Sequence, residues 1–210
     1  MNGAQVQQLR PRQDHRERLI AAMAQSIEEK GYRETTVADV VRLARTSRRT
    51  FYEHFDDRAG CFLALFEETN EETMTAVASA VRPEDPLEAQ VDRALDAYLE
   101  SVMAQPALYT SFVRELPGLG REATERALAV MERFAALLVT LVESGRREQP
   151  ELVSRPLTQD MALIIVGGLR ELMVVSLQQR RDLREVRGSL AEAVKAILGA
   201  AVLRGQTSDQ

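Results

Sequence analysis

The sequence is poor in the residues that form covalent cross-links and soft-metal sites. It has one cysteine, Cys61, and two histidines among 210 residues. A single cysteine cannot form an intramolecular disulfide, and a cysteine-based zinc site needs several thiolates. Tryptophan is absent, and aromatic residues make up 5% of the chain. We therefore expect no disulfide scaffold, no bound metal and no cofactor.

A long uninterrupted apolar run is also missing. The N-terminal segment is polar and lacks the apolar core of a secretion signal. The most apolar stretch, 161–177, carries Arg170 and Glu171 at its centre and is short for a bilayer span. These features predict a protein of the reducing cytoplasm, without a membrane partner.

Sequence motifs of catalysis are absent as well. His15 and His54 do not occur in an H-E-x-x-H pattern, and there is neither a G-x-S-x-G motif nor a phosphate-binding glycine loop. No pair of carboxylates stands out from the charged helix faces. We therefore predict that the protein is not an enzyme.

What the chain does contain is a series of helical patterns. Alanine, leucine, glutamate and arginine dominate, and apolar residues recur three and four positions apart, as in amphipathic helices. Prolines and glycines separate these patterns. The fold class is therefore predicted as all-α with about nine helices, at about 14–30, 36–44, 48–54, 58–81, 86–104, 106–115, 120–147, 157–181 and 184–204.

Three segments follow from these patterns. Residues 1–13 are predicted as a disordered basic arm, 14–57 as a three-helix head, and 58–210 as a larger helical body. Residues 1–60 carry a net charge of +2 and the rest −7. A slightly basic head on an acidic body suits a protein that contacts nucleic acid at one end. Three arginines of the N-terminal region are candidate phosphate contacts: Arg10, Arg12 and Arg16.

The head contains two short capped helices separated by a tight break. Thr36 and Asp39 form a T-x-x-D capping box, and Ser47 caps the next helix. Two such helices are the elements of a helix-turn-helix, in which the second lies in the DNA major groove. The N–H groups beside Thr36 at the start of the first of these helices are candidate phosphate ligands.

The second short helix has two different faces. Phe51 and Phe55 are four positions apart and are predicted to face the core, whereas Arg48 and Tyr52 point the other way. Arg48 or Arg49 is predicted to contact guanine O6 and N7. The remaining donors are predicted to contact phosphate: Thr50, Tyr52, His54 and Arg58.

The segment 35–62, TTVADVVRLARTSRRTFYEHFDDRAGCF, resembles the DNA-binding signature of the TetR family of bacterial regulators. Arg58 stands where the family usually has a phosphate-contacting lysine, and Phe62 stands near an apolar position of the fourth helix. The other matching positions are Thr36, Val40, Ala44, Ser47, Tyr52, His54 and Phe55. The resemblance implies an N-terminal helix-turn-helix domain and a larger ligand-binding and dimerisation domain.

The turn departs from the family pattern. Arg45 replaces the usual glycine and Thr46 the usual valine. Either Arg45 adopts a left-handed conformation, or the turn differs in shape; an arginine there is also a candidate phosphate contact. The predicted DNA-binding residues are thus Thr36, Arg45, Ser47, Arg48, Arg49, Thr50, Tyr52, His54 and Arg58.

The resemblance implies a homodimer formed by the last two helices and a palindromic double-stranded operator. Gly167 and Gly168 in mid-helix fit a close helix approach, either to a partner subunit or within the chain. The predicted interface residues are Gly167, Gly168, Leu172, Val175, Ala193, Ala196 and Ala200.

The resemblance also implies that the body binds a small, largely apolar effector that controls a repressor. Six apolar residues are candidates for the pocket lining, although each could equally be part of the core: Tyr98, Met103, Tyr109, Phe112, Met131 and Phe134. The alternatives are an activator of the same fold and a helical interaction module without DNA binding.

Overall fold

A computed structural model describes residues 3–149 and 156–203, with side chains described over 14–149 and 156–199. Across these ranges the chain forms nine α-helices and no strand, which confirms the predicted all-α class. The helices are α1 Gly3–Lys30, α2 Val37–Leu43, α3 Arg48–Tyr52, α4 Arg58–Ala80, α5 Leu87–Ala104, α6 Pro106–Glu115, α7 Arg121–Glu148, α8 Gln159–Gln178 and α9 Leu183–Leu203.

Helix α1 begins much earlier than predicted. Residues 3–13, which were predicted as part of a disordered arm over 1–13, belong to the helix in this structure. Glutamine and arginine are good helix formers, so a polar sequence without an apolar stripe can still continue a helix. The side chains of Arg10 and Arg12 lie outside the described ones.

The chain divides into two compact units. The first consists of Met1–Thr69 and Gln105–Arg126, and the second of Asn70–Ala104 and Ala127–Gln210. This differs from the predicted boundary between 57 and 58, because α6 and the first part of α4 belong to the first unit. The prediction missed this grouping because the two segments are far apart in sequence.

A single apolar core holds the first unit together. Leu19, Met23 and Ile27 of α1 are buried with residues of α2, α3 and α4, and α6 contributes Leu108 and Phe112. The Phe62 and Phe112 rings lie 5.3 Å apart between centroids. The helix-turn-helix is therefore built on a core that also includes α6.

The second unit combines an apolar core with a polar link between α5 and α9. Leu95 and Leu99 of α5 and Val186 of α9 are buried. Alongside them, the Arg187 Nη2 donates to Asp96 Oδ2 at 2.9 Å, an ion pair that fixes the register of the two helices. Within the described ranges, no helix has both the length and the hydropathy needed to cross a membrane.

Candidate nucleic-acid interface

Helix α2 begins with the predicted capping box. Thr36 Oγ1 accepts from the Asp39 N–H at 3.2 Å, and the Asp39 carboxylate accepts from the Thr36 N–H at 2.9 Å. Lys30 Nζ lies 2.7 Å from the same carboxylate. Hydrogen bonds from Lys30 and Thr36 hold the pKa of Asp39 far below its ordinary value, so this carboxylate is ionised.

The capping box bears on the predicted phosphate site at the start of α2. The Thr36 N–H donates to Asp39 and is not available to a phosphate. The Asp39 carboxylate also places a negative charge close to the expected anion, and like charges repel. Thr36 acts as a helix cap in this structure, and a phosphate contact to the N–H groups beside it stays a prediction.

The turn between α2 and α3 is closed by two backbone hydrogen bonds. The Arg45 N–H donates to the Arg42 carbonyl at 3.2 Å, and the Thr46 N–H donates to the Val41 carbonyl at 2.9 Å. This is the Schellman pattern, in which the residue after the C-cap adopts a left-handed conformation. Arg45 has φ 51°, so the turn keeps the shape that glycine usually provides. For a residue with a Cβ, that conformation costs roughly 1–2 kcal/mol.

Helix α3 is short, and its orientation is fixed from one side. Ser47 Oγ accepts from the Thr50 N–H at 3.0 Å, which satisfies a donor at the start of the helix. Phe51 is fully buried and Phe55 nearly so, with their rings 5.6 Å apart between centroids. These contacts confirm the predicted core face.

The opposite face of α3 and the turn before it present cationic and aromatic groups. Arg48 and Arg45 are exposed, and neither side chain has a partner within the described part of the chain. Arg49 is exposed too, but its Nε lies 3.1 Å from Glu53 Oε1, which offsets part of its charge. Tyr52 is 56% exposed, a large value for an aromatic ring.

Two further members of the predicted site lie nearby. Thr50 is half-buried, and its hydroxyl lies 3.0 Å from that of Ser47. His54 is half-buried just after α3, with its ring 6.4 Å from that of Phe55 between centroids. The structure thus brings residues 45–54 together on one short segment.

Arg58 has a role that the sequence did not reveal. Its Nη1 donates to the carbonyls of Tyr32, Arg33 and Thr35 at 3.0, 3.2 and 2.6 Å. Its guanidinium lies 4.2 Å from the centre of the Tyr32 ring. Nη1 therefore clamps the segment between α1 and α2, and a phosphate contact by the rest of the guanidinium stays a prediction. A basic residue opening α4 was visible in the sequence, but its carbonyl partners were not.

We expect Arg58→Met to lower the free energy of unfolding by about 2 kcal/mol, because it removes charge-assisted hydrogen bonds to three carbonyls and leaves those acceptors unpaired. Urea denaturation followed by circular dichroism measures this effect. The matched control is Arg121→Met, because among the described residues Arg121 pairs only with Glu125 on the helix surface. It should change stability by less than about 0.5 kcal/mol. Equal effects of the two substitutions would contradict the clamp.

The predicted effector residues do not fall in one unit. Phe112 and Tyr109 belong to the first unit, where Phe112 is buried against Phe62 and Phe66. Phe112 is thus part of the core of the first unit, and its role in lining a pocket stays a prediction. The remaining four lie on α5 and α7 of the second unit: Tyr98, Met103, Met131 and Phe134. Of these, Tyr98 and Phe134 contact edge to face, with ring centroids 6.4 Å apart.

The predicted dimer residues lie on α8 and α9. Gly168, Ala193 and Ala196 are exposed, and Leu172 and Val175 are half-buried. A Cβ at Gly167 would lie 3.7 Å from Met131 Cε, so this half-buried glycine lies next to α7 of the same chain. The side chain of Ala200 is outside the described ones. Across the described residues, His, Cys, Asp and Glu form no group of three that could hold a metal ion.

Comparison with known proteins agrees with this geometry. Residues 19–65 match the family model for bacterial regulatory proteins of the tetR family. The HTH-type transcriptional regulator YhgD of Bacillus subtilis (strain 168), itself described as uncharacterized, is 28% identical over 133 residues, which cover 63% of this chain and 69% of that protein.

Solved structures share the fold over nearly the whole chain. A tetR-family transcriptional regulator from Streptomyces coelicolor has a TM-score of 0.70 at 15% identity, covering 91% of this chain and 83% of that one. FadR from Bacillus subtilis, solved in complex with stearoyl-CoA, has a TM-score of 0.67 at 17% identity, covering 87% and 97%. Fold and site together define a helix-turn-helix, DNA-binding transcriptional regulator. Over residues 19–65, the chain is similar to the tetR family of bacterial regulatory proteins.

Proposed function

We propose that the protein is a ligand-responsive repressor that binds a palindromic operator as a homodimer. The observation that carries this proposal is the exposed face of α3. Arg48 and Tyr52 project from a helix whose other face is fixed by the buried Phe51. A rigid support of this kind holds donors at the distances that base edges require.

Selection from a pool of random duplexes tests the proposal. The full-length wild-type chain is expected to enrich one inverted repeat, because two equivalent subunits present two equivalent helices about 34 Å apart. The enriched duplex, placed over a promoter, should then lower transcription in a purified system. Failure to enrich any sequence at low salt would instead favour a helical interaction module, and increased transcription would identify an activator.

The proposed dimer interface is the outer face of α8 and α9. Ile164 is 67% exposed, and Gly168, Leu172 and Val175 follow it on the same side of α8 at helical spacing. An exposed apolar patch of this kind is typical of an association surface. On α9, Ala193 and Ala196 provide small side chains that permit close approach.

We expect Ile164→Asp to weaken self-association by about a hundredfold, since an unpaired carboxylate buried in an interface costs several kcal/mol. Sedimentation equilibrium measures the mass against the 23.5 kDa of one chain. Leu128→Asp is the matched control, because Leu128 on α7 is 54% exposed and lies in the same unit. The interface on α8 and α9 is contradicted if both variants stay dimeric, or if both dissociate.

We also propose a small, largely apolar effector bound by the second unit, where Tyr98, Met131 and Phe134 supply adaptable apolar surface. A long-chain acyl-CoA is the first compound to test, because FadR of Bacillus subtilis was solved with stearoyl-CoA. The expected result is that stearoyl-CoA, and not coenzyme A alone, raises the melting temperature and releases the enriched duplex. Equal effects of the two compounds would count against an apolar effector.

A further inference from the structure

The end of α2 receives a side chain from α1 that the proposed function has not used. Arg18 Nη2 donates to the carbonyl of Ala44 and, at 3.1 Å, to the carbonyl of Arg45. Its Nη1 lies 3.8 Å from Asp14 Oδ2, one turn earlier on α1. The guanidinium therefore reaches the two carbonyls at the turn between α2 and α3.

These two carbonyls have particular importance. Carbonyls at a helix C-terminus lack partners within the helix, and a cation there also interacts favourably with the helix dipole. Arg45 is, in addition, the residue held at φ 51° where glycine would be unstrained. Arg18 thus stabilises the turn at the position where the sequence disfavours it.

The turn determines where α3 points. Only Thr46 and Ser47 separate Arg45 from the first residue of α3, so a change in φ at Arg45 would rotate α3 relative to α2. Hydrogen bonds to base edges require donor–acceptor distances of about 2.7–3.2 Å, so a small rotation is enough to lose them. Contacts to phosphate depend mainly on charge and tolerate such a change better.

We propose that Arg18 is a positioning residue for base recognition, which holds the turn at Ala44 and Arg45 and thereby the orientation of α3. This inference rests on the proposed DNA-binding function. It assigns specificity to a side chain on α1 that is outside the helix-turn-helix. It also explains how an arginine can occupy the usual glycine position, because Arg18 compensates for the strained residue.

The test compares affinities for two duplexes, the one enriched by the wild-type chain and a shuffled duplex of the same composition. The expected result for Arg18→Met is that the ratio of the two affinities falls about tenfold, while binding to the shuffled duplex is nearly unchanged. When Arg45→Gly is combined with Arg18→Met, the ratio of affinities should return to most of its wild-type value, because glycine adopts the left-handed conformation without support.

Two matched controls distinguish a positioning role of Arg18 from the effect of losing its charge and from the effect of changing a strained turn. Arg16→Met removes the same charge from an exposed position on α1 and should weaken both duplexes equally. Arg180→Gly replaces the other left-handed arginine, φ 55°, at the end of α8 in the second unit, and should leave both affinities unchanged. Arg18→Lys keeps the charge but loses the planar fork, and should reduce the affinity ratio less than Arg18→Met does.

Other outcomes would overturn the role of Arg18. If Arg18→Met lowers the melting temperature but not the affinity ratio, the residue is only structural. If it weakens both duplexes equally and reduces the salt dependence by about one phosphate contact, it is a phosphate ligand. If Arg18→Met does not fold, the same ratio of affinities is measured for Arg18→Lys, alone and combined with Arg45→Gly, and the same criteria apply. A wild-type chain that cannot distinguish the duplexes would overturn the proposed function itself.

Discussion

Replacing Phe51 by alanine should lower the free energy of unfolding by about 3–5 kcal/mol. Phe51 is fully buried, and its ring packs against Phe55 and joins α3 to the core of α1, α2 and α4. The vacated space cannot be filled by these rigid helices without moving α3. Urea denaturation of the full chain measures the loss.

The neighbouring residue provides the control. Tyr52 is an aromatic side chain of similar size on the same helix, but it is largely exposed. Tyr52→Ala should change stability by less than about 1 kcal/mol while still weakening DNA binding. Comparable destabilisation by the two substitutions would mean that the faces of α3 have been assigned incorrectly.

The substitution Arg48→Ala should reduce affinity for the enriched duplex by about tenfold to a hundredfold, because a bidentate contact to guanine contributes ~1–3 kcal/mol of discrimination. Arg48 has no ion-pair partner in the described part of the chain, so no intramolecular contact competes for its guanidinium. Fluorescence anisotropy with labelled duplexes measures the change, and stability should be unaffected.

Arg49 and Arg184 are the matched controls for Arg48. Arg49 pairs with Glu53, so Arg49→Ala should affect base discrimination less than Arg48→Ala does. Arg184 is an exposed cation of the second unit, and Arg184→Ala should leave affinity unchanged. If all three variants lose affinity equally, net charge rather than base contact controls binding.

Local signals in the sequence were sufficient to predict most helix boundaries. Thr36 and Ser47 cap α2 and α3 through their own hydroxyl groups, and both were recognised as caps from the sequence. The opposite faces of α3 could likewise be predicted, because Phe51 and Phe55 are one helical turn apart. Such features depend on residues within a few positions of each other.

The features that were missed depend on distant residues. Arg18 and Arg58 donate to carbonyls 23 to 27 positions away, and nothing in the local sequence distinguishes them from arginines that bind phosphate. The sequence made Phe112 and Phe134 equally good candidates for a ligand pocket. It could not show that Phe112 packs against Phe62, because that contact depends on the tertiary structure. For Gly167 the sequence left open an approach to a partner subunit or within the chain, and in the structure its nearest side chain is Met131 of the same chain.

The central claim is that the exposed face of α3 reads DNA sequence. The most direct test is the ratio of affinities for the enriched and shuffled duplexes, measured for the wild-type chain and for Arg48→Ala combined with Tyr52→Ala. We expect a ratio of about a thousandfold or more for the wild type and a ratio at least about tenfold lower for the folded double variant. A folded double variant that retained the wild-type ratio would contradict it.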